Sequence, residues 1–246
     1  MNWRDQCGVV IPCLNEATNI HRVVAETRSY LPTVVVVDDG SVDETFRVAV
    51  QTGAFVLQHG KPMGKGAALA TGLRWLRGKG FTWALTLDGD GQHAARDIPK
   101  FLEYAMRCDA TLLVGDRMRG AAEMPWLRRT VNRWLSHRLS RLAGQALPDS
   151  QCGFRLLQLE IWAALDLHTS HFEIESEMLL SFIAARQTVA FVPIEVIYKK
   201  ERSKIDPIHD SWRWLHWWWQ ARRSFAQVQA LDSPDGVATP GIAANP

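Results

Sequence analysis

The amino-acid sequence predicts an α/β protein built on a mostly parallel, doubly wound sheet. The first half of the chain alternates short apolar segments with segments of helical periodicity. The apolar segments are rich in Val, Ile and Leu and lack polar alternation, which is typical of strands buried on both faces. The composition, 47% hydrophobic and 22% charged over 246 residues, is that of a globular chain long enough to bury a full core.

The predicted elements of the first half follow this alternation in order. The strands cover residues 7–12, 33–38, 54–58, 83–88 and 110–115. The helices cover residues 16–30, 43–51, 64–77 and 97–106. Strands separated by helices in this way predict parallel pairing with the helices packed on the sheet.

The alternation ends after residue 115. Residues 125–143 predict a helix that carries five Arg and no acidic residue. The remaining predictions are a strand at 153–158, a helix at 172–186, a strand or strand pair at 188–198, a basic loop at 199–205 and a Trp-rich helix from about 209 to 229. The tail, residues 232–246, contains Pro and Gly and is predicted to be disordered.

Charge and cysteine usage exclude several classes of protein. The net charge of +2 gives no overall field for nucleic acid, so no nucleic-acid partner is expected. The four cysteines are scattered without a CxxC pair, which fits a reducing compartment and gives no zinc signature. No apolar segment is long enough for a transmembrane helix, and the first residues do not resemble a secretory signal.

Polar side chains follow four consecutive predicted strands. They are Asn15-Glu16, Asp38-Asp39, the Gly64-Lys65-Gly66 turn, and Asp88 with Asp90. In open α/β sheets, ligands bind outside the carboxyl ends of the strands. Two carboxylates one residue apart suit Mg²⁺ or Mn²⁺ shared with substrate phosphates, and a glycine-flanked lysine at a helix start suits a phosphate.

Each of these clusters also has a structural interpretation. The Asp and Gly residues are common in turns, and Asp or Ser before a helix is a common N-cap. Four such clusters at one sheet edge are hard to explain by turns alone. They favour a binding site for a phosphorylated ligand.

Five segments together resemble family 2 glycosyltransferases with the GT-A fold. They are VVIPCLNE, VVVDDGS, GKGAAL, LDGDGQH and DSQCGFR, within residues 7–205. Within the family the chain is most similar to the dolichyl- and polyprenyl-phosphate mannose or glucose synthases. The resemblance implies an inverting transfer of a sugar from a UDP- or GDP-sugar to a polyprenyl phosphate, with residues 1–205 as the catalytic domain.

The resemblance also implies roles for individual residues. Asp88 and Asp90 would hold Mg²⁺ or Mn²⁺, with Gln92 beside them and Arg117 at the acceptor phosphate. Residues implied to contact the nucleotide sugar are Pro12, Leu14, Glu16, Asp39, Lys65, Gly89, Arg202 and Lys204. Residues implied on the acceptor side are Arg129, Asp149 and Gln151.

The Trp-rich segment suggests where the protein acts. Five of the eleven Trp fall between Trp212 and Trp219, among several basic residues. Trp and basic residues favour the bilayer–water boundary, which predicts a membrane-associated helix at 206–231 and a peripheral protein on the cytoplasmic face. The alternative is an aromatic helix packed on its own domain or on a second subunit of a homo-oligomer.

Three further alternatives stay open. A glycosyltransferase with a non-lipid acceptor would share the donor motifs. A sugar nucleotidyltransferase would normally carry a Gly- and Arg/Lys-rich loop after the first strand, where this chain has Cys13-Leu-Asn-Glu. A non-catalytic membrane scaffold would not need Glu16 or Asp90, and both are present.

Overall fold

The computed structural model describes residues 2–197, 213–219 and 221–222. Its strands form one seven-stranded sheet in the order β3-β2-β1-β4-β6-β5-β7. The strands are β1 (Cys7–Cys13), β2 (Val34–Asp38), β3 (Phe55–Gln58), β4 (Trp83–Thr86), β5 (Leu112–Asp116), β6 (Arg155–Gln158) and β7 (Val189–Pro193). All neighbouring pairs are parallel except those of β6, which is antiparallel to both β4 and β5. The predicted α/β class with a mostly parallel sheet is confirmed.

The helices form two layers on this sheet. They are α1 (Trp3–Gln6), α2 (Ile20–Arg28), α3 (Thr45–Gln51), α4 (Lys65–Gly78), α5 (Ile98–Arg107), α6 (Trp126–Ala143), α7 (Leu159–Ala164) and α8 (Ile174–Ala184). One layer contains α2, α3 and α5, and the other contains α4, α7, α8 and α6. Every residue of β1, β2, β4 and β5 is buried, because both faces of the sheet are covered.

The observed elements differ from the predicted ones mainly in the residues at which they begin and end. The helix predicted at 16–30 begins at Ile20, because Glu16 and Asn19 form the turn that precedes it. The segment predicted as a strand or strand pair at 188–198 forms β7, and Val196 adds one isolated bridge to His93. Helices α1 and α7 were not predicted, since four and six residues are too few to show a helical period.

One edge of the sheet collects the ends of most strands. The carboxyl ends of β1, β2, β4, β5 and β7 lie there, and so does the start of β6, because β6 runs in the opposite direction. Helix α4 also begins at this edge, after Gly64 with a φ of 99°. A Cβ at Gly64 would lie 2.4 Å from the carbonyl oxygen of Ser170, so glycine allows the two segments to approach closely.

The described part of the Trp-rich segment is a helix that packs on the domain. Trp214 and Trp217 are buried in the main core, whereas Trp219 is 61% exposed. The Trp214 indole donates a hydrogen bond to Ser176 Oγ over 3.1 Å and its ring stacks on Trp218. Trp214 and Trp217 thus pack against the protein itself, as in the alternative of an aromatic helix packed on its own domain, and the membrane association of residues 206–231 stays a prediction. Trp212, the 205/206 boundary and the 232–246 tail lie outside the described residues.

Within the part of the chain that the structure describes, we find no helix that combines the length and the apolarity needed to cross a membrane.

Candidate functional site

The Lys65 ammonium joins two carboxylates at the sheet edge. Its Nζ lies 2.7 Å from Asp88 Oδ1 and 2.7 Å from Glu175 Oε1. Lys65 opens α4, Asp88 follows β4 and Glu175 stands in the first turn of α8. Three separate elements thus meet at one cation, and the predicted proximity of Lys65 to Asp88 is present in the structure.

The burial of this cluster changes the proton affinities of its members. Burial by itself would raise the pKa of Asp88, but Lys65 and other nearby cationic groups outweigh it and hold that pKa well below its usual value. Burial likewise opposes the charged form of Lys65, yet Asp88 and Glu175 raise its pKa above the usual value. Asp88 and Lys65 are therefore both ionised across the physiological pH range.

Asp90 lies in the same loop but in a less favourable electrostatic position. Burial and the nearby Asp88 carboxylate raise the pKa of Asp90. Its Oδ1 accepts a hydrogen bond from the Gln92 backbone N–H over 2.9 Å. The Gln92 side-chain oxygen in turn accepts from Arg128 Nη1 over 3.2 Å. Two crowded carboxylates of which one resists ionisation form a site that a cation would stabilise.

These residues fit a divalent cation shared with a substrate. Carboxylate oxygens suit Mg²⁺ and Mn²⁺, which are commonly held by one or two carboxylates plus substrate phosphates. Among the described residues, no group of three or more His, Cys, Asp or Glu is arranged to hold a metal ion by itself. Asp88 and Asp90 would therefore share such an ion with the phosphates of a ligand.

The His93 side chain contacts the main chain of the Asp88–Asp90 loop. It is buried against Phe154, with ring centroids 5.3 Å apart, and its Nδ1 accepts a hydrogen bond from the Asp88 backbone N–H over 3.2 Å. Burial lowers the pKa of His93, so the ring is neutral and carries its proton on Nε2. His93 thus fixes the main chain of the acidic loop.

Asp39 holds the segment that leads into Lys65. Its carboxylate accepts hydrogen bonds from the backbone N–H groups of Met63 and Gly64, over 2.9 and 2.7 Å, and contacts His59 Nδ1 at 2.7 Å. Asp38 instead accepts from Ser41 and Gln58, which is the turn role considered as an alternative. A contact between Asp39 and a nucleotide base stays a prediction.

The residues predicted around the nucleotide lie beside the acidic loop. Pro12 is buried within β1, Leu14 is half-buried, and Glu16 accepts a hydrogen bond from Asn19 Nδ2 over 3.1 Å. A Cβ at Gly89 would lie 3.0 Å from Cys13 Cβ and 3.5 Å from Glu16 Cγ. The segments that follow β1 and β4 are therefore in contact. The contacts of Pro12, Leu14, Glu16 and Gly89 with a nucleotide stay predictions.

Arg117 forms a buried ion pair with Asp149. Its Nε and Nη2 donate to the two carboxylate oxygens over 2.6 and 2.8 Å, and Asn132 Nδ2 donates to Asp149 Oδ1 over 3.0 Å. Burial would raise the pKa of Asp149, but Arg117 outweighs it and lowers that pKa. The charge of Arg117 is thus balanced within the protein, and its predicted contact with an acceptor phosphate stays a prediction.

The DSQCGFR segment is tied to both α6 and α8. Gln151 Nε2 donates to Ser150 Oγ and to Ser176 Oγ, over 2.8 and 2.9 Å. The fully buried Arg155 donates to the carbonyl oxygens of Cys152, Ser150 and Glu175. Arg129 is half-buried on α6, whereas Arg202 and Lys204 lie outside the described residues.

Sequence reasoning missed Glu175, His93 and the structural role of Arg155. His93 and Arg155 belong to the LDGDGQH and DSQCGFR segments, so their motifs gave a signal that was not assigned to them. Glu175 lies in none of the five segments. Its position in a helix with two other acidic residues, Glu173 and Glu177, does not distinguish it from a solvent-exposed carboxylate.

Comparison with known proteins identifies the family and the fold. The sequence model described as Glycosyl transferase family 2 matches residues 8–163. An uncharacterized protein of Methanocaldococcus jannaschii is 30% identical over 205 residues, which cover 79% of this chain and 83% of that protein. A Methanococcus voltae protein named UDP-N-acetylglucosamine–dolichyl-phosphate N-acetylglucosaminyltransferase is 28% identical over 77% of this chain and 85% of its own length.

A similar fold occurs in a solved structure. It is glucosyl-3-phosphoglycerate synthase of Mycobacterium tuberculosis, in complex with Mn²⁺, UDP-glucose and phosphoglyceric acid. The TM-score is 0.70 at 19% identity, and the match covers 90% of this chain and 79% of that one. At this identity the likeness extends to the GT-A fold alone.

Proposed function

The chain belongs to glycosyl transferase family 2, and from this premise we propose that it transfers a sugar from a nucleotide diphosphate sugar to a polyprenyl phosphate. The observation that carries the proposal is the Lys65–Asp88–Asp90 cluster at the carboxyl edge of the sheet, which suits a diphosphate and its cation. The Methanococcus voltae relative, which is named for a dolichyl-phosphate acceptor, supports the lipid acceptor.

The chain's own residues supply the charges that such a reaction needs. An oxygen of the acceptor phosphate attacks the anomeric carbon, a new C–O bond forms, and the bond to the donor diphosphate breaks. The acceptor is already largely ionised near neutral pH, since the second pKa of a phosphate monoester is about 6, so no general base is required. Lys65 at the start of α4 would bind the donor diphosphate, and Arg117 with Arg129 would orient the acceptor.

Asp88 and Asp90 would hold a divalent cation, which supplies charge neutralisation for the leaving diphosphate when it is bound. The chain contributes the loop that sets both carboxylates, fixed by the His93 ring beneath Asp88 and by the Gln92–Arg128 contact beside Asp90.

A second candidate acceptor is phosphoglyceric acid, which is bound in the solved structure with a similar fold. The test is a panel of UDP- and GDP-sugars with Mn²⁺, offered first with a short polyprenyl phosphate and then with phosphoglyceric acid. We expect transfer to the polyprenyl phosphate. Product with phosphoglyceric acid alone would replace the lipid acceptor, and no product with either acceptor would contradict the proposal.

The stereochemistry of the product gives a separate prediction. A single in-line displacement converts an α-linked nucleotide sugar into a β-linked lipid phosphate, because the ionised acceptor attacks from the face opposite the leaving group. Proton NMR of the anomeric centre measures this outcome. An α-linked product would contradict a single displacement by the acceptor phosphate.

Helix α6 offers a surface for the membrane in which such an acceptor lies. Four of its apolar side chains face outward. Trp126 is 71% exposed and Leu127 is 59% exposed, and Val131 and Trp134 are also exposed. At about 100° per residue these four positions fall within about 140° of the helix circumference. The opposite side carries the buried residues Asn132, Ser136 and Leu139.

The buried side of α6 is therefore partly polar. Asn132 and Ser136 face the protein beside Leu139 because they bond to Asp149 and Ser150, and the four apolar side chains named above are left exposed. Exposed Arg138 and Arg141 accompany the apolar face, and α6 contains no acidic residue. Apolar side chains flanked by basic ones suit an anionic lipid surface, which supports a peripheral position on the cytoplasmic face.

The double variant Trp126→Ser/Leu127→Ser is expected to bind anionic vesicles less well than the wild type and to bind UDP equally well. In the wild type, salt should weaken vesicle binding but not abolish it, because burial of Trp and Leu does not depend on charge. Vesicle sedimentation at two salt concentrations measures both effects. Val42→Ser, which removes a 93% exposed apolar side chain elsewhere, is the control. Equal sedimentation of the Trp126/Leu127 variant and the wild type would contradict membrane docking through α6.

A further inference from the structure

The Lys65 ammonium is shared between a residue of the expected cation site and a residue outside it. Asp88 belongs to the acidic loop, whereas Glu175 comes from α8 and lies in none of the motifs that mark the donor site. The Glu175 side chain is 5% exposed. Burial of a carboxylate is costly unless it is paired with a cation, and Lys65 is the cation that pairs with Glu175.

The main chain near Lys65 and near Glu175 is held by contacts that do not involve Asp88. Arg155 Nη1 donates to the Glu175 carbonyl oxygen over 2.8 Å, which holds the first turn of α8. The Ala67 backbone N–H donates to the Ser170 carbonyl oxygen over 3.2 Å and joins the start of α4 to the segment before α8. The main-chain segments that carry Lys65 and Glu175 are therefore joined independently of Asp88.

A divalent cation at Asp88 would bind the same carboxylate that pairs with Lys65. The ammonium lies against Asp88 Oδ1, and there is little room for it to retreat toward Gly153, where an added Cβ would lie 2.9 Å from both Lys65 Nζ and Asp88 Oδ1. If Asp88 were the sole carboxylate beside Lys65, its transfer to a cation would leave the buried ammonium with the donor diphosphate as its one anionic partner. Glu175 lies 2.7 Å from Nζ and adds a second anionic partner within the protein.

We propose that Glu175 is a positioning residue that retains Lys65 when Asp88 turns to the divalent cation. The inference rests on the proposed function, since the cation is the one expected with a nucleotide diphosphate sugar. Lys65 then has two pairings: with Asp88 and Glu175 before the cation binds, and with Glu175 and the donor diphosphate afterwards. Glu175 promotes cation binding without being a ligand of the cation.

The test is the affinity for Mn²⁺ in saturating UDP, measured by electron paramagnetic resonance of the free ion. Glu175→Gln is expected to weaken Mn²⁺ binding about tenfold, within the range of coupling between residues in direct contact. Glu173→Gln is the matched control, because Glu173 is also buried at the start of α8 but pairs with Arg213. The control should bind Mn²⁺ as the wild type does.

A second pair of variants separates partner exchange from a general effect of charge. In a Lys65→Met background the Glu175→Gln substitution should change Mn²⁺ affinity less than about twofold, because there is no ammonium to retain. An equal loss in both backgrounds would mean that Glu175 acts on the cation directly, and this would overturn the proposal. Unchanged affinity in Glu175→Gln itself would also overturn it.

A further variant, Glu175→Asp, tests whether the carboxylate itself is needed. Glu175→Asp retains the carboxylate and is expected to recover part of the Mn²⁺ affinity, which a loss of folding in Glu175→Gln would not explain. Absence of any such recovery would count against the proposal. A wild-type protein that binds no Mn²⁺ with UDP would contradict the proposed function, whereas normal wild-type binding with unaltered Glu175→Gln would overturn the partner exchange alone.

Discussion

Replacing Asp90 with Asn is expected to lower kcat at least about a hundredfold, the scale for removing one preorganised electrostatic group from an active site. Asp90 is the member of the acidic pair with the raised pKa, because it is buried beside the ionised Asp88. Its negative charge is useful only when a cation balances it. Excess EDTA should therefore remove wild-type activity to a similar extent, and steady-state rates of sugar transfer measure both effects.

The same substitution should not destabilise the fold. A carboxyl whose pKa is raised by folding costs stability once it is ionised, and that cost appears as the pH rises from the ordinary pKa of Asp through the raised one. Asn carries no charge, so without a divalent cation the variant is expected to unfold at the wild-type temperature or above it. Asp109→Asn, an exposed change at the opposite edge of the sheet, is the control for activity. Full activity of Asp90→Asn would contradict the cation site.

The proximity of Lys65 to Asp88 was predictable because both residues lie at the carboxyl edge of the sheet. Parallel strands place their carboxyl ends at one edge, so Asp88 and Lys65 meet although they are distant in sequence. The direction of β6 was not predictable in this way. Its four residues, Arg155–Gln158, carry no pattern that distinguishes an antiparallel from a parallel strand, and only the course of residues 117–154 brings it back antiparallel between β4 and β5.

Buried polar partners were the other part that the sequence did not reveal. Trp214 is buried because Ser176 accepts its indole N–H, and the outward face of α6 follows from the bonds of Asn132 and Ser136. Such hydrogen bonds join residues that are far apart along the chain, and they place polar side chains at buried positions that apolar residues usually occupy. Composition could suggest an interface, but it could not tell which Trp side chains belong to it.

Breaking the Arg117–Asp149 pair is expected to cost about 3–5 kcal/mol of stability, the usual effect of leaving one member of a buried ion pair unpaired. The pair is bidentate, Asp149 is completely buried, and Asn132 donates to the same carboxylate. Arg117→Met and Asp149→Asn should each lower the free energy of unfolding in urea. Arg47→Gln, which breaks an exposed pair with Glu44, is the control and should have no measurable effect.

The double variant Arg117→Met/Asp149→Asn should be less destabilised than the sum of the two single changes, because it leaves no buried charge without a partner. The acceptor role of Arg117 can then be separated from its structural role. Arg117→Ala and the double variant should both raise the KM for the lipid phosphate more than the KM for the nucleotide sugar, even where stability is partly recovered. If the double variant recovered stability and the lipid-phosphate KM together, Arg117 would act through the fold and not through the acceptor. If Arg117→Met unfolded with the wild-type free energy, the ion pair would not hold the end of β5 and the DSQCGFR segment together as the geometry indicates.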